Sequence, residues 1–156
     1  MPNAFPLSDL PGLATLLFSG LLAGEEVVIR YGVRDAIPVL DPAPQIRLRQ
    51  ALIRRLRVLV PAIFFLALVS AATAFLWSGA AGEKSWRLAG LFALLMFITV
   101  TLAGTVPINK AALGWNPDAP PDDWRVQIAR WERLDTARTW AAVSAFVLFL
   151  ASGVWW

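Results

Sequence analysis

Glu25 and Glu26 stand side by side at the end of an apolar run, in "SGLLAGEEVVI" (19–29). Carboxylates at membrane depth are costly, and a chain that keeps them pairs them, wets them or uses them. The chain has no His and no Cys. That removes the commonest general base, the commonest metal ligand, the usual haem ligand and all thiolate chemistry. Proton abstraction would fall to a carboxylate facing a cavity, so Glu25 and Glu26 are the leading candidates for general base. Adjacent helical side chains point ~100° apart, which predicts that one faces the bundle while the other reaches solvent or an Arg. The plainer alternative is an interfacial pair neutralised by Arg30 or by arginines opening the second helix.

Two further constellations carry polar chemistry. Thr101, Thr105 and Asn109 recur every four residues along one helix face, interrupted at Pro107. Such a stripe inside a membrane bundle faces other helices or a wet cavity. Trp131, Asp135 and Arg138 share a face of the last helix, where Asp135 and Arg138 are spaced to pair locally. The plain reading is a solvated ion pair with Trp131 as an interfacial anchor. The functional reading brings these groups to one cavity with Asn109 and a glutamate. No metal-ligand spacing, phosphate-binding glycine loop or nucleophile elbow is present, so no metal site is expected. Adjacent helical carboxylates are also poor geometry for a hard cation.

The elements that must position these groups are apolar. The chain has 156 residues, 58% hydrophobic and 16% charged, with eight Trp and a mean hydropathy of +0.60. Soluble domains are nearer half apolar and a quarter charged. Four segments, about 10–29, 58–77, 88–108 and 139–156, approach the ~20 residues that cross a ~30 Å hydrocarbon core. The fold class read here is all-α: a single integral membrane four-helix bundle over 1–156. The first segment has no basic residue before its apolar run and reads as a retained span rather than a signal peptide. Asp41 and Pro42 predict a helix start, and no strong breaker follows before Pro61, so helix two is expected over about Pro42–Trp77. Asp122 or Asp123 likewise opens helix four. Amphipathic extensions over about 42–57 and 122–138 would then project beyond the membrane.

Charge sets the orientation. Twelve Lys and Arg lie in or beside the two long connections, from Arg30 to Arg57 and from Lys110 to Arg138, against Lys84 and Arg87 beside the short link. The positive-inside rule places the long connections in the cytoplasm and both termini outside, here a bacterial inner membrane. The net charge of +3 is thereby a topology signal with a side role in anionic lipid binding, and no nucleic acid partner is expected. Gly20 and Gly24 form a GxxxG pair, readable as close packing within one bundle or as a seam between copies.

The stretch "VPINKAALGWNPDAPPDDWRVQIARWERLDTART" (106–139) resembles the anthrone-oxygenase-like family of small four-helix membrane proteins. It shares a helix ending in V-P-x-N, a Trp, a Pro-rich link, a second Trp and R-W-x6-R-T. Pro107, Asn109, Trp115, Trp124, Trp131 and Arg138 are the matching positions. The resemblance implies oxidation of an anthrone by O2 with no metal or flavin: a base removes an acidic proton, and the carbanion meets O2 directly. Glu25, Glu26 or Asp135 would be the base. Arg138 and Asn109 would stabilise the enolate oxygen, and Trp131 would stack on a flat substrate arriving from the bilayer. Trp115, Trp124 and Thr105 would complete the substrate contacts. Similar proteins can carry His or Asn where this chain has Asp135. The competing reading is a non-enzymatic oligomeric scaffold or a lipid-like small-molecule binder.

Overall fold

A computed structural model describes residues 10–79 and 81–154; positions 155 and 156 of the expected last span lie outside the described residues. The described residues form helices and no strands, arranged as four rods, each long and apolar enough to cross a membrane. The first is α1 (Leu10–Val27), continued by a π turn (Val28–Val33) and a 3-10 turn (Arg34–Val39). The second is α2 (Pro42–Trp77), unbroken over 36 residues, or roughly 50 Å at ~1.5 Å per residue. The third is α3 (Ala81–Val100), a π turn (Thr101–Thr105) and α4 (Val106–Leu113). The fourth is α5 (Trp124–Val154).

Local chemistry explains the boundaries. Pro42 fills the first position of α2, where its missing N–H costs nothing. Asp41 holds the N-cap position with extended backbone but makes no side-chain cap bond. Pro61 lies inside α2 without ending it; the carbonyl of Arg57, four residues earlier, loses its helical donor there. Asp123 immediately precedes α5, and its carboxylate accepts from the Gln127 side-chain amide at 2.9 Å. Pro107 falls in the first turn of α4, just after the π turn, where the widened ladder can absorb a residue with no N–H.

Small residues let the rods close on large ones. Ala67, Ala71 and Ala145 are fully buried beside Leu22, Leu94 and Phe149. The Phe64 and Phe97 rings stack 5.6 Å apart between α2 and α3. Gly20 packs under the Phe146 ring, whereas Gly24 faces open space, so the two glycines do not act as one packing motif inside the bundle. The outward faces carry Leu17, Phe65, Phe92, Met96 and Val147, an exterior suited to lipid.

A second apolar cluster, Ile46, Ala112, Trp115, Trp124 and Ile128, lies at the end bearing the long connections. The Gln50 amide donates to the carbonyls of Ala112 and Trp115, each at 3.0 Å. It thereby fixes the C-terminal end of α4 to α2. At the opposite end, Arg87 pairs with Glu83 and donates to Ala74 O and, at 2.7 Å, to Ser78 Oγ. That clamp holds the short α2–α3 link.

Candidate functional site

The long-connection end of the bundle encloses a cavity of about 310 Å3, at the lower end of the range for ligand pockets. Four elements meet around it: the C-terminal turns of α1, the N-terminal half of α2, the π turn with α4, and the N-terminal half of α5. Its part nearer the bundle core is apolar, with Val60, Phe64, Phe97 and Ile98. Its other part is charged, and both glutamates, Asp135, Arg138, Arg34 and Arg49 reach it.

Glu26 is 2% exposed and pairs with the buried guanidinium of Arg138. Arg138 also reaches Thr105 Oγ1 at 3.3 Å and lies 4.9 Å from the Phe97 ring centroid. One side chain of α5 thus gathers α1, α3 and the π turn. The local Asp135–Arg138 pair expected from their spacing is not what forms: Arg138 turns to Glu26. Asp135 is 1% exposed, and its Oδ2 has no hydrogen-bond partner among the described residues. A solvated pair at the membrane edge is therefore also excluded. Neutralisation of the glutamates by Arg30 is corrected too, because Arg30 donates to Thr136 Oγ1.

Both glutamates line this cavity without sharing a partner, as the helix wheel predicts: Glu26 pairs with Arg138, and Glu25 makes no ion pair among the described residues. The α-to-π change begins two residues after Glu26, and the cavity is wide enough to meet both side chains. Glu25 Oε2, Glu26 Oε2, Trp131 Nε1, Arg49 Nε and Arg138 Nε are buried without a hydrogen-bond partner among the described residues. Such unpartnered groups are rare in proteins and costly unless something satisfies them. Their convergence on one cavity marks it as a place for a ligand with polar edges. Among the described residues, no group of three carboxylates stands close enough together to hold a metal ion.

Asn109, Thr105, Trp115 and Trp131 all line this cavity. Trp124 does not. It is buried in the second apolar cluster against Trp115 and Ile128, so its large ring supports the wall rather than facing a ligand. The π turn breaks the regular Thr101, Thr105, Asn109 stripe, yet all three still reach the cavity because the extra width re-aims α4.

Arg49 was not singled out by sequence. It is 9% exposed, pairs with Glu132 at 3.4 Å and lies 5.9 Å from the Trp131 ring centroid. The signal was present: Arg49 shares the helical face of Ile46 and Ile53, the inward stripe of the α2 extension. Phe97, the aromatic face under Arg138, carries no such mark.

A family model described as anthrone oxygenase matches residues 50–148. The chain belongs to the anthrone oxygenase family. The matched region runs from the α2 extension through most of α5, and so contains every cavity-lining residue except Arg49 and those of α1 and its following turns. Comparison with curated proteins and with solved structures gives no match.

Proposed function

We propose that this anthrone oxygenase family member oxidises an apolar, anthrone-type aromatic within its own cavity, using O2 and no cofactor. The observation that carries the reading is a cavity with apolar walls for a flat ring system and buried or half-buried carboxylates at one end, two of them outside any ion pair among the described residues. A carboxylate removes a proton from the ring methylene flanked by the two arenes. The electron pair delocalises onto the ketone oxygen, which the Arg138 guanidinium and the Asn109 amide would stabilise. The carbanion transfers electrons to O2 and forms a C–O bond, giving a hydroperoxide after protonation. Loss of water, with the second methylene proton, leaves the new carbonyl. One O2 becomes one carbonyl oxygen and one water.

Glu26 is committed to Arg138, so Asp135 and Glu25 are the better bases. Trp131, beside Arg49, supplies the stacking face. The test is oxygen uptake by the purified protein in lipid nanodiscs with a panel of anthrones. Asp135→Asn together with Glu25→Gln should lower turnover by a factor on the order of 10²–10⁴. Unchanged turnover in that double variant would remove Asp135 and Glu25 as the base. No protein-dependent uptake with any anthrone shifts the assignment to a non-enzymatic small-molecule binder.

A further inference from the structure

Among the described lining residues of the cavity, Arg57, Pro61 and Lys110 are the exposed ones; the rest are buried or partly so. All three lie on two elements, α2 and α4. The opening is therefore the seam between those helices, on the side of the molecule rather than along its axis. Two cations flank it. Neither Arg57 nor Lys110 makes an ion pair or side-chain hydrogen bond among the described residues. Pro61, the third exposed lining residue, lies one turn along α2 from Arg57. Exposed basic side chains at this end also suit the positive-inside rule, but that rule does not require two of them to line a cavity.

We infer that the cavity is loaded sideways through the α2–α4 seam, and that Arg57 and Lys110 select a flat aromatic carrying an anionic substituent, such as a carboxylate. The apolar walls take the ring system. The cations hold the anionic edge at the mouth, where the long flexible stems of Arg and Lys keep their charges near the membrane surface. A guanidinium binds a carboxylate through two parallel N–H donors, and an ammonium adds a compact positive charge. This rests on the proposed aromatic ligand, and it adds the ligand's charge and its route.

Binding, without turnover, tests it. Trp115 and Trp131 line the cavity, so energy transfer from tryptophan to bound anthracene-2-carboxylate reports occupancy. Its methyl ester is the neutral control. In phosphatidylcholine nanodiscs the acid should bind about tenfold tighter than the ester, the worth of one good charge-assisted contact. Arg57→Gln with Lys110→Gln should erase the difference and leave ester binding unchanged, while Arg57→Lys with Lys110→Arg should retain most of it. Equal affinities in the native protein, or a preference that survives the double Gln variant, overturns the proposal. So does a preference abolished by phosphatidylglycerol, since the cations would then be holding lipid headgroups. Anthrone oxidation can fail while this preference stands, and the preference can fail while oxidation stands.

Discussion

Arg138 is the residue on which the site turns. Its guanidinium is buried, faces Glu26 and Thr105, and lies over Phe97. Removing one partner from a buried pair leaves an uncompensated charge, which costs about 3–5 kcal/mol. Arg138→Gln should therefore destabilise the protein by roughly that amount, with Glu26→Gln/Arg138→Gln less destabilised than Arg138→Gln alone. Reversible unfolding in detergent, run as a double-mutant cycle, measures this coupling; additive single effects would show that the pair is not coupled. Residue types were legible in the sequence here. With His and Cys absent, Glu25, Glu26 and Asp135 had to be the acid–base candidates, and all three reach the cavity. Pairing was not legible. The i, i+3 spacing of Asp135 and Arg138 offers a local bond, but a residue more than a hundred positions away in sequence took the guanidinium. Burial alone did not decide the outcome, since Asp135 and Glu26 are both buried beside the cavity; by turning to Glu26 the guanidinium also reaches Thr105 Oγ1 and the Phe97 ring.

At the scale of elements, apolar runs and prolines gave helix two its limits, and Pro42–Trp77 is the helix that forms. The π turns were hidden. A single wide turn costs little and has no composition of its own, so only Pro107 hinted at irregularity. Their effect is large: the Thr101–Thr105 turn sets the rotation of α4, and with it Asn109 and Lys110. Rod spacing depends on glycine at one place. A Cβ on Gly90 would stand 2.7 Å from Phe149 Cδ1 and Cζ. Phe149 is itself 2% exposed, so its ring has nowhere to swing. Gly90→Ala should cost about 1–3 kcal/mol through overpacking between α3 and α5. Gly24→Ala, which meets nothing within 4 Å, should be neutral or stabilising by up to ~1 kcal/mol. Thermal unfolding of the two variants side by side gives the contrast, and equal shifts would mean that the α3–α5 contact has room for a methyl group.

For the whole molecule, the distribution of charge carries the orientation. Twelve basic residues accompany the two long connections and two accompany the short link. Cytoplasmic loops retain Lys and Arg, so the cavity and its cationic mouth should open at the cytoplasmic face, where an intracellular aromatic acid or its enzyme-released precursor would arrive. Because the chain has no Cys, single cysteines report position without background. Ser85→Cys and Ala119→Cys both replace exposed residues; Ser85 lies near the start of the Ala81–Leu113 rod and Ala119 beyond its end, so most of that rod separates them. A membrane-impermeant maleimide added to intact cells should label Cys at 85 and spare Cys at 119 until the membrane is permeabilised. Labelling of both from outside would mean that this rod does not cross. The reversed pattern would keep the four crossings but turn the cavity outward, and substrate supply would then have to come from outside the cell. The helix count was legible because hydrocarbon demands ~20 apolar residues per crossing. The cavity was not, because it is made jointly by four rods: α2 and α3 meet at Phe64 and Phe97, Gln50 ties α2 to the end of α4, and Arg57 and Lys110 line the cavity from those same two rods. No local pattern in any one of them encodes that gap, so the labelling result and the binding preference at the α2–α4 seam together decide whether it is a door to the cytoplasmic leaflet.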